Sequence, residues 1–291
     1  MADTNSERAL SPGHSLNGER VRRIPPYAKL QIFDRITRVA TWNVRSLYAA
    51  GKLANLDAEM HRLQIKILGL SEVRWPGSGT IRIEHGTLYY SGNDNPNHYN
   101  GVGVLVSSGI ERSVVDFFPI SDRLMVLKIK TSRRIMNIVQ VYAPTSEKQD
   151  DIVEQFYNEL EDIMKLTKKG ELTIIIGDFN AKVGVGAEGD VVGGFGLGIR
   201  NLRGDRLVQF CTQQLAIVNT FFKQPPRRLY TWRSPADCDE NLIRNQIDFI
   251  LINKEHKKAV KSVKTYPGAD VNSDHNPVMD EGEALHTCET N

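Results

Sequence analysis

Short apolar runs that end in an acid or an amide recur along this chain, and they constrain its fold more than any other feature. Asn43 follows Val39-Ala40-Thr41-Trp42, and Glu72 follows Ile67-Leu68-Gly69-Leu70-Ser71. Asp178 and Asn180 close the run 173–177, Asp248 lies inside 245–252, and Asp274 with His275 stands just before Asn276-Pro277-Val278. Apolar runs of about four to eight residues read as strands. Others are expected at 88–91, 102–106, 124–129, 135–142, 216–219, 230–232, 247–252 and 260–265. Helical spacing is scarcer. It is expected at 53–63, at 206–214, and most clearly where Ile152, Phe156, Leu160 and Ile163 share one face behind a capping box of Ser146 and Gln149. Strands arrive in clusters with few helices between them, so most cannot be joined by right-handed βαβ crossovers. An α/β fold of mixed sheets with helices outside fits better than a Rossmann sheet or a barrel.

Length alone is ambiguous. At about 150 residues per domain, 291 residues suggest two domains, although single layered α/β domains of about 250 are common. Residues 1–36 are polar, contain Pro12, Pro25 and Pro26, and are expected to form a disordered arm before one domain over 37–279. No stretch approaches the roughly 18 apolar residues of a membrane span, and no apolar signal core opens the chain. Cys211, Cys238 and Cys288 share no metal-ligand spacing, which speaks for a reducing, intracellular compartment and against thiolate zinc. The net charge of +2 averages unlike parts. Residues 279–291 carry Asp280, Glu281, Glu283 and Glu289 and no Lys or Arg, leaving +6 on the residues before them. Between residues 223 and 264 ten Lys/Arg face five Asp/Glu, which suits a polyanionic partner as well as a solvated face.

An Asp or Asn after a strand is, taken alone, a turn former or a helix cap, and a lone His is a structural one. Six or more such groups at strand ends point to a site, because strand ends in layered α/β folds converge on ligand crevices. Glu72, Asp274 and Asn43 offer the hard oxygens that Mg²⁺ or Mn²⁺ prefers. In extended backbone Asp178 and Asn180 would point to one side, one holding a water and the other donating to an oxyanion. His275 beside a carboxylate such as Asp248 would be pushed toward the imidazolium. With no Ser or Cys nucleophile elbow, the set suits attack of water on a phosphate ester. Gly184-x-Gly186-x-x-Gly189 matches a dinucleotide fingerprint as a string but opens no helix and reads as a loop.

The phrases Trp42-Asn43, Ser71-Glu72-Val73-Arg74, Tyr142-Ala143-Pro144, Gly177-Asp178-Phe179-Asn180-Ala181, Tyr230-Thr231-Trp232, Ile247-Asp248 and Ser273-Asp274-His275-Asn276-Pro277 follow in one order. That order resembles the endonuclease/exonuclease/phosphatase superfamily, which includes apurinic endonucleases and deoxyribonuclease I-like enzymes. Within it the chain is most similar to the endonuclease domain of RTE-type non-LTR retrotransposons and to craniofacial development proteins, host genes derived from such elements. The resemblance implies a four-layered, DNase I-like α/β sandwich, two mixed, mostly antiparallel sheets face to face with helices outside. It also implies Mg²⁺-dependent hydrolysis of DNA phosphodiesters, Mn²⁺ as a substitute, the DNA backbone as partner and a nuclear location. Glu72 resembles the principal metal ligand, with Asn43 and Asp274 nearby. Asp178 resembles the acid that positions or deprotonates water, and Asn180 the amide that orients it. Tyr142 resembles the phenol on the phosphate, and Asp248 with His275 the pair at the scissile phosphate. Arg74, Tyr99, Asn100 and Trp232 match positions near the DNA-binding face.

Two departures stand out. Arg45 stands where some apurinic enzymes carry an Asp, an acid that the retrotransposon enzymes commonly lack as well. After His275 the family continues into a last apolar strand, but here Val278-Met279 meets Asp280-Glu281-Gly282-Glu283. The final strand is therefore expected to be truncated, with 280–291 an acidic, aberrant tail and a neighbouring edge left unpaired. Two other functions fit the same motifs: a small-molecule phosphatase of this superfamily, and a catalytically silent host-retained domain that binds DNA or protein.

Overall fold

The computed structural model describes residues 37–94, 99–132 and 134–282. The expected arm over 1–36 and the tail beyond Gly282 lie outside the described residues. In chain order the first half runs β1 (Thr37–Asn43), α1 (Lys52–Arg62), β2 (Ile67–Ser71), β3 (Ser78–Arg82), β4 (Gly86–Ser91), β5 (Val102–Ser107), β6 (Val114–Pro119), β7 (Leu124–Lys130) and β8 (Ile135–Tyr142). Then come α2 (Asp150–Leu166), β9 (Leu172–Asp178), α3 (Leu202–Cys211), β10 (Leu215–Ile217), β11 (Trp232–Arg233), β12 (Arg244–Asn245), β13 (Asp248–Asn253), β14 (Val260–Thr265) and β15 (Val278–Gly282).

These strands form a seven-stranded sheet in the order β14-β15-β1-β2-β5-β4-β3 and a six-stranded sheet in the order β10-β13-β9-β8-β7-β6, with a small β11-β12 ribbon. Among the described strands only β1–β2 and β8–β9 pair in parallel, and each pair is bridged by a helix, α1 or α2. Parallel neighbours need such a crossover, whereas antiparallel ones close with turns. That is why few helices serve many strands.

Side chains alternate along each strand, and the alternation sorts the apolar residues into three layers. Val39, Ile67, Val104, Leu127, Ile138, Ile174, Ile176 and Ile250 fill the space between the sheets. Leu68, Leu70 and Leu105 pack outward with Leu56 and Met60 of α1. Val139, Val141, Ile175 and Leu251 pack outward with Phe156, Leu160 and Leu207 of α2 and α3. The four-layered sandwich follows. The sheets approach closely at Gly69, where an added Cβ would lie 1.9 Å from Gln140 Oε1 and 2.6 Å from Ile176 Cδ1.

Local readings differ in three places. Helix α2 starts at Asp150 with Gln149 as N-cap and no side-chain cap, so the capping box does not form. Asp150 and Asp151 in its first turn suit the helix dipole instead. Its buried face runs through Val153, Phe156, Tyr157, Leu160 and Ile163, while Ile152 is exposed. Helix α3 begins four residues before expectation, where Asn201 Oδ1 accepts from Gly204 N at 2.9 Å.

The third difference is the last strand. It is not cut short at Met279: β15 continues through Gly282, paired with β1 on one side and β14 on the other. Backbone hydrogen bonds do not depend on side-chain polarity, so two waiting edges can hold a polar segment. Alternation then turns Val278 and Asp280 toward the inter-sheet core. Asp280 lies in register with Val39 and Val263, is 1% exposed, and has no hydrogen-bond partner at either oxygen among the described residues. Burial, with Glu281 adding to it, pushes this carboxyl up to about 8. Glu281, on the other face, accepts from Tyr266 Oη at 2.7 Å and Lys264 Nζ at 3.0 Å.

Candidate active site

The same alternation places one polar residue of each central strand at one end of the inter-sheet core. Val39 and Thr41 face inward on β1, and so does Asn43 two residues on. Ser71 ends β2, Tyr142 ends β8, Asp178 ends β9 and Asp248 opens β13, each continuing its strand's inward series. In register Asn43 lies beside Ser71, Tyr142 beside Asp178, and Asp178 beside Asp248. Glu72 follows Ser71 directly, and His275 arrives on the loop before β15.

Asn43 Nδ2 donates to Glu72 Oε1 at 2.9 Å and to Asp178 Oδ2 at 3.0 Å, while its Oδ1 accepts from Arg45 N at 3.0 Å. Tyr142 Oη donates to Glu72 Oε1 at 3.0 Å, and Arg74 Nη2 donates to Glu72 Oε2 at 2.5 Å. Burial works against the Glu72 charge, yet Asn43 and Arg74 hold its carboxyl below the usual range. Burial, then the Glu72 charge, keeps the Tyr142 phenol protonated far above its usual range.

On the other side, Asp248 Oδ2 lies 2.9 Å from His275 Nδ1, and His275 Nε2 lies 4.0 Å from Asp178 Oδ2. Burial alone would lower the imidazole, but Asp248, then Asp178 and Asp274, lift it to about 9. Burial first, then the Asp248 charge, pushes Asp178 up to about 7, against His275 and the hydrogen bonds from Asn43 and Asn180. The arrangement is an imidazolium held between acids, one of which is poised near neutrality.

Asn180 reaches the site by a different backbone from the extended one expected. Its φ is +48°, and this turn lets its N–H donate to Asp178 Oδ1 at 2.9 Å while Nδ2 donates to Ala143 O at 2.9 Å. Arg45, Glu72 and Arg74 are also left-handed, with φ of +47°, +58° and +59°. Each such non-glycine residue costs about 1–2 kcal/mol, and such strain clusters where side chains must be aimed.

The remaining residues lie at the rim. Asp274 Oδ2 accepts from Trp232 Nε1 at 3.1 Å and sits 3.4 Å from Arg45 Nη1. Asn100 gives its Nδ2 to Asp122 at 2.8 Å, and its carbonyl accepts from Arg74 N at 2.8 Å, so it braces the loop after β2. Tyr99 is exposed. Sequence reasoning missed the positioning residues. Thr231 Oγ1 accepts from the N–H of Ile247 and Asp248 at 2.9 and 3.1 Å. Trp42 Nε1 donates to His275 O at 2.9 Å, Ser71 Oγ to Val141 O at 3.1 Å, and Arg123 lies 5.1 Å over the Tyr142 ring. Thr231 and Trp42 stand inside quoted motifs, so their signal was neighbourhood and not chemistry.

The donors fit a hard divalent cation. Asp178, Asp248 and His275 bring ligand atoms within 4.8 Å of one another, but an imidazolium has no lone pair to give a metal, so the candidate ligands are the carboxylate oxygens, Glu72 and Asp274 among them. Asp248 Oδ1 and Asp274 Oδ1 are buried without a hydrogen-bond partner among the described residues. Carboxylate oxygens with no thiolate suit Mg²⁺ or Mn²⁺ better than a thiophilic ion.

Residues 40–275 match the endonuclease/exonuclease/phosphatase family. Craniofacial development protein 2 of Bos taurus is 37% identical over 277 residues, covering 94% of this chain and 46% of that protein. The chain thus spans less than half the length of the curated relatives it matches. The catalytic domain of Xenopus laevis APE2 superposes with a TM-score of 0.64 at 16% identity, over 85% of this chain and 92% of that one. The endonuclease domain of TRAS1, a telomere-specific non-LTR retrotransposon, gives 0.60 at 16% identity, over 84% and 98%.

Proposed function

The chain belongs to the endonuclease/exonuclease/phosphatase family, whose members are in general phosphodiester hydrolases that use divalent metals, and from that premise we propose a Mg²⁺-dependent endonuclease that cuts DNA phosphodiester bonds. One observation carries this reading. Glu72, Asp178, Asn180, Asp248 and His275 converge at one end of the inter-sheet core, linked by hydrogen bonds of 2.9–3.0 Å through Asn43 and between Asp248 and His275. No serine or cysteine nucleophile stands among them, so water is the attacking group.

Asp178 orients that water and accepts its proton, which an acid pushed up to about 7 can do near neutral pH. Asn180 fixes the Asp178 carboxylate and orients the water with it. His275, kept cationic by Asp248, stabilises charge that builds on the phosphoryl oxygens. The Tyr142 hydroxyl, kept protonated, turns its one O–H from Glu72 to the same phosphate when substrate binds. Glu72 is the principal metal ligand with Asp274 nearby, and Asn43 holds Glu72 and Asp178 in place through its nitrogen. Bound there, Mg²⁺ would supply Lewis-acid stabilisation of the phosphate charge, with Mn²⁺ a substitute. Arg74 and Tyr99 would contact the DNA backbone, while Asn100 and Trp232 steady the rim. The +6 charge before the tail suits that partner, and a DNA substrate implies a nuclear location. Among the described residues no helix is long and apolar enough to cross a membrane.

Nicking of supercoiled plasmid across a Mg²⁺ titration tests the reading. Glu72→Ala and His275→Ala should abolish it, and equal residual nicking in parent and variants sinks it. One observation favours a silent binding domain: Arg74 already neutralises Glu72 at 2.5 Å. Binding of DNA without nicking across Mg²⁺ and Mn²⁺ would establish that second reading.

A further inference from the structure

Glu72, the candidate metal ligand, has little lone-pair capacity left to give. Its Oε1 accepts from Asn43 Nδ2 at 2.9 Å and from Tyr142 Oη at 3.0 Å, which occupies both lone pairs of that oxygen. Its Oε2 accepts from Arg74 Nη2 at 2.5 Å, a charge-assisted bond between side chains 13% and 37% exposed. Asp274 differs. Its Oδ2 accepts from Trp232 and faces Arg45, but its Oδ1 is buried with no partner among the described residues. An entering cation therefore finds Asp274 open and Glu72 closed. Asn43 and Tyr142 are neutral, whereas Arg74 opposes a second cation by its charge as well as by its place.

The backbone of Arg74 is fixed. Its φ of +59° is left-handed, its N–H donates to Asn100 O at 2.8 Å, and a Cβ on Gly101 would lie 2.8 Å from that nitrogen. The guanidinium is not fixed in the same way. Of its side-chain N–H groups only Nη2 meets an acceptor among the described residues, and Nε is buried without one. A guanidinium bonded through a single nitrogen has donors left for a second acceptor, and side-chain rotation can bring it there.

That acceptor should be an anion. Arg45 Nη1 lies 3.4 Å from Asp274 Oδ2, and Lys52 Nζ donates to the carbonyls of Arg45 and Asn272 at 3.3 and 3.4 Å. Burial first, then the charges of Arg45 and Arg74, lower the Lys52 ammonium, so the three cations share one rim. Once Glu72 and Asp274 serve a divalent ion, their charge no longer answers Arg74 and Arg45. A phosphate diester answers it, and its paired oxygens match the guanidinium fork.

We propose that Arg74 is an exchangeable counter-ion: it closes Glu72 in the free chain and moves to a backbone phosphate when DNA binds, which opens Oε2 to the metal. Metal and DNA then bind cooperatively, each raising the affinity of the other by the same factor. This loading order rests on the metal-dependent nuclease proposed above.

Mn²⁺ binding to the full chain, read from the electron paramagnetic resonance of the free ion, tests it without turnover. Arg74→Ala and Arg74→Gln should each tighten Mn²⁺ binding at least about tenfold in the absence of DNA. Arg45→Ala removes the same charge from the rim without freeing Glu72, and should tighten it about twofold. For a fluorescent duplex with phosphorothioate linkages, Mn²⁺ at fixed ionic strength should raise affinity about tenfold in the parent and less than about twofold in Arg74→Ala, read by anisotropy. Circular dichroism verifies each fold, and if Arg74→Ala does not fold, Arg74→Gln decides. Parent-like Mn²⁺ affinity in the Arg74 variants overturns the exchange, as does undiminished coupling in them or equal tightening in Arg45→Ala. Those results leave plasmid nicking and its loss in Glu72→Ala standing. A parent that binds Mn²⁺ as expected but nicks nothing ends the nuclease reading and keeps the exchange, and Mn²⁺ bound by none of these proteins overturns both.

Discussion

Two stretches of the inter-sheet core bury aspartates, and they treat them differently. At the strand ends, Asp178 receives Asn43 Nδ2 and Asn180 N, and Asp248 faces His275 at 2.9 Å. On β15, Asp280 receives nothing among the described residues. Burial raises both Asp178 and Asp280, to about 7 and about 8. The shifts are alike and the chemistry is not. A raised carboxyl ringed by donors and an imidazolium can gain and lose its proton in place, because either state finds partners. A raised carboxyl among valines is simply kept neutral, and its ionisation works against the strand that carries it.

The sharpest way to break this contrast is to remove acids from both places. Asp178→Asn, like Glu72→Ala and His275→Ala, should lower plasmid nicking by on the order of 10³-fold. Asp280→Asn should leave the rate within about twofold, since β15 would be seated by backbone pairing alone. A comparable loss at Asp280 would show that the acid on β15 serves the reaction after all.

Stability should respond in the opposite sense. A carboxyl raised by folding carries no penalty below its unfolded value, near pH 4, where both states are protonated. The penalty grows as pH rises and is complete above about 8, where the folded state ionises as well. Asp280→Val should therefore raise unfolding stability by on the order of 3 kcal/mol at pH 8 and least at pH 4. Urea melts at both pH values measure this. An Asp280→Val protein no more stable than the parent at pH 8 would show that the aspartate does not face the core.

The rate profile tests the partnered acids. If Asp178 must be ionised and His275 cationic, nicking should rise with pH through about 7 and fall through about 9. Each limb should change about tenfold per pH unit. His275→Gln should lack the alkaline limb. An alkaline limb that survives in His275→Gln belongs to another group.

Much of the site was legible because strand alternation is legible. Val39, Thr41 and Asn43 share a face whatever the rest of the chain does, and so do Ile174, Ile176 and Asp178. The motif order told which strands meet. What pairing decides was not legible. Asp280 reads as tail by composition, yet two open edges draw it into the sheet, since ladders bind backbone and not side chains. Asn180 could not be given its left-handed turn from spacing. The Asp57–His85 pair joins residues 28 positions apart, a meeting that only the packing of α1 on the β3–β4 turn creates.

The smallest expected effect concerns a residue on the wrong face. Trp42 points outward on β1, packed with Leu56 and Met60, yet its Nε1 donates to His275 O at 2.9 Å. Ser273 Oγ donates to Asn43 O at 2.6 Å, a second tie between that loop and β1. Trp42→Phe removes one tie and keeps the ring's packing. One net hydrogen bond is worth about 1 kcal/mol, so kcat should fall about fivefold with KM unchanged and the alkaline limb displaced. With Ser273 still in place the loop is loosened, not lost. A fall of a hundredfold would mean that the indole does more than hold the histidine's backbone, and the outer core would then belong to the site as much as the strand ends do.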